Sequence, residues 1–67
     1  MSILIELEHR AALGPTKAAA LLGVSYTSYK DYKNGRRLLP LYIERSVQAH
    51  LALSEQNLRR LVRDTIA

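Results

Sequence analysis

The positively charged side chains of this chain lie mainly in one continuous segment. The 67 residues include ten Lys and Arg and six Asp and Glu, which leaves a formal net charge of +4. Six of the basic and two of the acidic residues lie between positions 15 and 45, so this segment carries the whole excess. Lys and Arg donate hydrogen bonds to phosphate groups, so the segment is expected to face an anionic partner. The alternative is a solvated helix surface that carries cations for solubility. The six basic residues are Lys17, Lys30, Lys33, Arg36, Arg37 and Arg45.

Residues that support catalysis or bind metal are few. The chain has no Cys, and its two histidines, His9 and His50, are far apart in the sequence. No carboxylate has a spacing that pairs it with either histidine, and the three glycines form no phosphate-binding loop. His50 is expected to be a partly buried helix residue and His9 a surface residue. The sequence therefore predicts no enzyme activity and no metal, cofactor or small-molecule site.

The basic segment contains a pattern typical of two helices joined by a tight turn. Gly23 can adopt the left-handed conformation that ends the first helix, and Ser25 can cap the second helix with its hydroxyl. Tyr29 and Tyr32 are three residues apart, so both can point inward from one face of the second helix. This spacing predicts a helix-turn-helix at about residues 15–35, a motif that inserts its second helix into the DNA major groove.

Periodic apolar residues predict three further helices around this motif. The first residues, Ile3 to Leu7, also alternate as a short strand would, but a helix is favoured because Leu4, Leu7 and Ala11 would share one face. We expect an all-α, five-helix domain with a central helix-turn-helix. The predicted helices run from Ile3 to Leu13 with Ser2 as cap and Gly14 as stop, from Pro15 or Thr16, from Tyr26 to Lys33, from Pro40 to Leu53, and onward from the cap Ser54.

Length and composition predict one small domain, residues 1–67. A chain this short buries only about 60% of its unfolded surface, so stability gained by dimerisation is expected. The absence of Cys fits a reducing, cytoplasmic location. Ile3, Leu4 and Ile5 are too few to form a signal peptide or a membrane span, so no membrane association is expected.

Residues 16–40 resemble the Cro/repressor-type (XRE) family of helix-turn-helix proteins. Two stretches, Ala18–Ser25 and Arg37–Tyr42, are also similar to small phage autoregulators of the anti-CRISPR-associated type. The sequence departs from the family at Tyr29 and Tyr32, where aliphatic residues are usual. The resemblance implies a repressor-like fold and a function as a repressor or autorepressor from a phage or mobile element.

The position of each residue in the motif suggests how it would contact double-stranded DNA. Residues early in the second helix meet base edges, and flanking groups meet phosphates. Thr27 and Ser28 have the alternative of satisfying free N–H groups, and Lys30 that of contacting only phosphate. Asp31 would accept from cytosine or pair with a neighbouring cation. The base-contacting candidates are Tyr26, Thr27, Ser28 and Lys30. The phosphate-contacting candidates are Thr16, Lys17, Lys33, Arg36, Arg37 and Asn34, the last because the resemblance implies that role.

Two apolar stripes near the end of the chain offer surfaces for a homodimer, within about residues 41–67. One is the entrance to the fourth helix, formed by Leu41, Tyr42 and Ile43, and the other lies on the fifth helix. We expect one stripe to pack internally and the other to self-associate, and favour the fifth helix with the end of the fourth. The alternative is that both close a monomeric core. The favoured interface residues are Leu51, Leu58, Leu61, Val62 and Ile66.

These patterns together predict a sequence-specific transcriptional regulator. The expected form is a dimeric repressor bound to an inverted-repeat operator. Two alternatives remain: an antitoxin-type repressor that also binds a toxin, and a helical protein-interaction module that does not bind DNA.

Overall fold

The computed structural model of the chain describes residues 2–66, which form five α-helices. Within this range there is no strand, so the all-α prediction is confirmed and the alternative of a short strand near the start is wrong. The helices are α1 (Ile3–Ala11), α2 (Pro15–Leu22), α3 (Tyr26–Lys33), α4 (Leu41–Leu51) and α5 (Glu55–Ile66).

Three serines cap helices as their positions predict. The hydroxyl oxygens of Ser2, Ser25 and Ser54 each accept a hydrogen bond from a first-turn backbone N–H, at 3.2, 3.1 and 3.2 Å. A cap of this kind stabilises a helix by about 1 kcal/mol because it satisfies a donor that has no partner within the helix. The starts of α1, α3 and α5 are therefore encoded locally.

The end of α1 differs from the prediction. Helix α1 stops at Ala11, because Ala12 adopts a left-handed conformation with φ of 56° and the Leu13 N–H donates to the Glu8 carbonyl at 2.9 Å. Gly14, the predicted stop, instead has φ of −82° and precedes Pro15 at the start of α2. The short connection has to reverse the chain before Pro15, and Ala12 makes that turn at a cost of about 1 kcal/mol.

Two glycines adopt the left-handed conformation at helix ends, Gly23 as predicted and Gly35 in addition. Gly23 has φ of 72° and follows α2, where the Val24 N–H donates to the Ala19 carbonyl at 3.1 Å. Gly35 has φ of 78° just after α3. An added Cβ at either glycine would meet no atom within 4 Å, so glycine is required by the backbone conformation and not by lack of space.

The core is formed by one face of every helix. Helix α1 packs against α4 and α5, while α2 packs against α3 and α5. Ala18 and Ala19 are buried on α2, where their small side chains let neighbouring helices approach. Val24 lies half-buried against this core at the turn between α2 and α3. The other buried residues are Leu4, Leu7 and Ala11 on α1, Tyr29 on α3, Ile43 and Val47 on α4, and Leu58 and Val62 on α5.

Helix α4 is shorter than predicted at both ends. Pro40 precedes the helix, and its carbonyl accepts from the Glu44 N–H at 3.0 Å, while Ala52 follows Leu51 as the end of the helix. The predicted extension to Leu53 is wrong, because Leu53 belongs to the turn that leads to α5. Among residues 2–66, no helix has both the length and the apolar character needed to cross a membrane.

Candidate nucleic-acid interface

One face of helix α3 packs against the core, and the opposite face is exposed to solvent. Tyr29 is fully buried and Tyr32 is half-buried against the core, so the predicted inward face is confirmed. Tyr26, Thr27 and Lys30, three of the four predicted base-contacting residues, are exposed. Helix α3 packs chiefly against α2, which leaves its outer side open to a partner.

Ser28, the fourth predicted base-contacting residue, is linked to a predicted phosphate-contacting residue. It is half-buried, and its Oγ accepts a hydrogen bond from Arg37 Nη1 at 3.1 Å. The Arg37 guanidinium also lies 5.0 Å from the centre of the Tyr32 ring, a cation–π contact. The Arg37 side chain is therefore folded back along α3. Ser28 keeps its hydroxyl hydrogen, and Arg37 keeps its other N–H groups, for an external acceptor.

Lys33 is paired inside the protein. Its Nζ lies 2.9 Å from Glu8 Oε2 and 3.1 Å from Glu8 Oε1, and the two side chains are only 26% and 13% exposed. The contact of Lys33 with phosphate stays a prediction, and in this structure a carboxylate of α1 neutralises the charge of Lys33. Glu8 was not predicted as a partner of Lys33, although it directly follows the buried Leu7 and so lies at the edge of the inner face of α1.

Glu8 also holds the hydroxyl of Tyr29. Tyr29 Oη donates to Glu8 Oε2 at 2.5 Å, so one carboxylate receives hydrogen bonds from two residues of α3 that are four apart. Burial of the phenol, reinforced by its hydrogen bond to Glu8 and the negative charge there, raises the pKa of Tyr29 well above its usual range. The tyrosine therefore stays a neutral donor to Glu8 at physiological pH.

The other predicted phosphate-contacting residues are exposed on both sides of α3. Thr16 and Lys17 begin α2, where no side chain caps the helix, so the first-turn N–H groups are available to an external acceptor. Asn34, Arg36 and Arg37 follow α3 and are exposed. Within residues 2–66, Lys17, Lys30 and Arg36 form no ion pair. Their charges are thus open to an anionic partner.

The favoured dimer residues on α5 have a different role. Leu58 and Val62 are buried within a single chain, so their assignment to a dimer interface is wrong, because α5 turns this stripe toward α1 and α2. Leu51 is half-buried against the same core. Leu61 remains 39% exposed, and the side chain of Ile66 lies outside the described residues.

A different apolar surface is exposed, formed by Leu38, Leu41 and Tyr42 and here named the 38–42 patch. These side chains are 94%, 58% and 73% exposed, on the connection from α3 to α4 and the first turn of α4. Leu41 and Tyr42 belong to the stripe that was predicted at the entrance to α4. Leu38 was missed, although it lies in a mostly apolar run with no helical periodicity to bury it.

Between residues 2 and 66 there is no pocket and no group of three His, Asp or Glu side chains that could hold a metal ion. His9 is exposed, and His50 is half-buried with its Nδ1 2.6 Å from the Ser46 carbonyl oxygen, as their sequence positions indicated.

No family model, curated protein or solved structure matches the chain. Function therefore has to be inferred from the exposure, charge and hydrogen bonding of these side chains.

Proposed function

We propose that this protein is a sequence-specific regulator that binds double-stranded DNA through α3. The observation that carries the proposal is the combination of an anchored and an open face on one helix. Tyr29 is buried on one side, and Lys30 is exposed elsewhere on the helix, with Arg36 and Arg37 directly after it. Cations that are exposed and concentrated beside one helix match a phosphate-lined groove.

The dimensions of α3 suit the major groove. An α-helix with side chains is about 10–12 Å across, and the major groove is about 12 Å wide. With the helix inserted, Lys30 would donate to guanine, and Thr27 would bond a base or touch a thymine methyl group. Tyr26 would do either through its hydroxyl or its ring. These three residues supply the proposed base readout.

Phosphate contacts would be made from both sides of α3. The N–H groups and Lys17 at the start of α2 would meet one strand, and Asn34, Arg36 and Arg37 the other. If Lys17, Arg36 and Arg37 each neutralise one phosphate, the slope of log affinity against log salt is about −2.7 per subunit, or about −5 for a dimer.

The 38–42 patch is the proposed contact between two copies. Leu58 and Val62 of the α5 stripe are buried within one chain, and the most exposed large apolar side chains of residues 2–66 are those of Leu38, Leu41 and Tyr42. A two-fold contact places the same patch on both subunits, and Glu44 and Arg45 next to it offer opposite charges for pairing across the axis. The proposed assembly is a cytoplasmic dimer that binds an inverted repeat and represses transcription by occluding a promoter. Three parts of this proposal rest on the family resemblance: repression, the protein's own gene as a target, and a phage or mobile-element origin.

Selection of bound sequences from a pool of random DNA duplexes tests the proposal. We expect an enriched inverted repeat, whose symmetry also reports the dimer. The variants Lys30→Glu and Arg36→Glu should lose at least tenfold in affinity for it, with unchanged thermal unfolding. Arg60→Glu, the same charge change on exposed α5, is the matched control and should retain affinity apart from the general effect of net charge. Equal losses in all three variants would contradict α3 as the contact surface.

A protein-interaction module is the second candidate, favoured by the exposure of the 38–42 patch. The same selection separates the two. If no sequence is enriched and the wild-type protein binds no duplex at low salt, a DNA-binding role is excluded and the patch becomes the functional surface.

A further inference from the structure

The Glu8 carboxylate is the only acidic group within residues 2–66 that forms an ion pair between two helices. The other pair, Arg59 with Glu55, lies within α5 and is exposed. Glu8 Oε2 forms an ion pair with Lys33 Nζ at 2.9 Å and accepts a hydrogen bond from Tyr29 Oη at 2.5 Å. Glu8 therefore connects α1 to two successive turns of α3. Glu8 and Lys33 make none of the proposed DNA contacts themselves.

The Lys33–Glu8 pair competes with any use of Lys33 on DNA. Both side chains are largely shielded from solvent, and Coulomb attraction is stronger there than in bulk water. Moving the ammonium group to a phosphate would also leave the Glu8 carboxylate without its counter-ion beside the negatively charged DNA. The pair is therefore expected to persist in the complex.

We propose that Glu8 is a positioning residue that withholds Lys33 from the DNA and fixes the rotation of α3 about its axis. The proposal rests on the proposed DNA-binding function. Phosphate contacts add affinity without sequence information, so withholding one cation lowers affinity for specific and non-specific duplexes about equally. Any effect of Glu8 on specificity therefore comes from the orientation of α3. The two bonds to one carboxylate hold Tyr29 and Lys33 toward α1, and this sets the direction in which Thr27 and Lys30 project.

The salt dependence of DNA binding tests the first part of this role, since the slope counts the phosphates that are neutralised. Lys33→Met should leave the slope unchanged, whereas Arg36→Met should reduce its magnitude by about 0.9 per subunit. Glu8→Gln should release Lys33 and increase the magnitude by about 0.9 per subunit. The double variant Glu8→Gln/Lys33→Met should return the slope to that of the wild type.

Glu6→Gln is the matched control, because it removes the same charge from an exposed position of α1. It should leave the slope unchanged and affect specific and non-specific duplexes alike. Glu8→Gln should instead lower the ratio of affinities for the selected and a scrambled duplex by at least twofold. A purely structural role for Glu8 would weaken binding to both duplexes without steepening the slope.

Three results would overturn the proposal. One is a decrease in the magnitude of the salt slope in Lys33→Met that is as large as in Arg36→Met, which would place Lys33 on a phosphate. The Lys33→Met variant decides this question even if Glu8→Gln does not fold. Another is an unchanged slope in a folded Glu8→Gln protein. The third is a wild-type protein that binds no duplex, which would overturn the proposed function together with this inference. In the first two cases the wild-type protein still binds DNA, so the failures are distinguishable.

Discussion

The side chain of Tyr29 belongs to the apolar core and also makes a polar contact between α3 and α1. Its ring is fully buried, and its hydroxyl donates to a carboxylate of another helix. An aliphatic residue would fill the core but could not make this bond. Tyrosine at this position therefore supplies both packing and a fixed link between α1 and α3.

Stability at alkaline pH should depend on Tyr29. Because its pKa is raised in the folded protein, the native state holds the phenolic proton more tightly than the unfolded chain does. This contribution to the free energy of unfolding is complete below the ordinary tyrosine pKa of about 10 and is lost as the pH rises above it. Urea unfolding of the wild type and Tyr29→Phe between pH 8 and pH 11 measures the effect.

The wild type should lose stability more steeply than Tyr29→Phe above about pH 10, because the variant lacks the group that titrates. Below that pH, Tyr29→Phe should be less stable by about 1.5–3 kcal/mol, the range for a hydrogen bond to a charged group. Identical pH profiles for the two proteins would contradict this role of the hydroxyl.

Arg37 is held against α3 by Ser28 and Tyr32, and this should affect affinity without changing the number of phosphate contacts. Ser28→Ala removes the acceptor of the 3.1 Å hydrogen bond but leaves the guanidinium charge. We expect a loss of about twofold to tenfold in affinity for the selected DNA, because an exposed hydrogen bond contributes about 0.5–1.5 kcal/mol, and we expect an unchanged salt slope. Arg37→Met should instead reduce the magnitude of the slope by about 0.9 per subunit. A slope change in Ser28→Ala would contradict this division.

The helix ends show which parts of the fold are encoded locally. Ser2, Ser25 and Gly23 act through groups a few residues away, so their positions in the sequence predicted the cap or turn that each one forms. Ala12 could not be predicted as a helix stop, because alanine rarely adopts a left-handed conformation and nothing in its chemistry signals one. The connection between α1 and α2 imposes it.

The left-handed positions at Gly23 and Ala12 should respond to substitution with opposite signs. Gly23→Ala forces alanine into φ of 72° without a steric clash, so the free energy of unfolding should fall by about 1–2 kcal/mol. Ala12→Gly removes the strain of an alanine at φ of 56°, but glycine also gives the unfolded chain more conformational entropy. The free energy of unfolding should therefore rise by only about 0–1 kcal/mol. Thermal and urea unfolding check both. A destabilised Ala12→Gly protein would show that the side chain contributes more than the backbone strain costs.

The pattern of apolar residues predicted which stripes exist but not what covers them. The stripe on α5 and the entrance to α4 both have the spacing of a packed surface, and one chain's periodicity does not distinguish an internal neighbour from a second copy. Only the three-dimensional arrangement turned Leu58 and Val62 toward α1 and α2 and left Leu41 and Tyr42 exposed.

The sequence predicted part of the candidate nucleic-acid interface and missed another part. Charge density and position in the motif identified Lys17, Lys30 and Arg36, which are exposed. The pairing of Lys33 could not be predicted, since its partner Glu8 is 25 residues away in the sequence. Local patterns thus identified the exposed surface, and long-range contacts decided which of its charges are available.

Substitutions can distinguish the two candidate dimer surfaces, the 38–42 patch and the exposed part of α5. Tyr42→Ser and Leu41→Ser alter exposed side chains, so the monomer should fold normally, and loss of the 38–42 patch should convert a dimer to monomers. Sedimentation equilibrium measures this, and affinity for the inverted repeat should fall with it. Leu61→Ser, on α5, is the control and should remain dimeric. A monomeric Leu61→Ser protein beside a dimeric Tyr42→Ser protein would place the contact on α5.

The claim on which the account depends is that the exposed side of α3 is the surface that meets DNA. Backbone amide chemical shifts, followed by NMR while the selected duplex is added, test it directly. We expect the largest changes at residues 26–31, with further changes at residues 15–17 and 34–37. Changes confined to residues 38–42 or to α5, with the amides of α3 unaffected, would contradict the account.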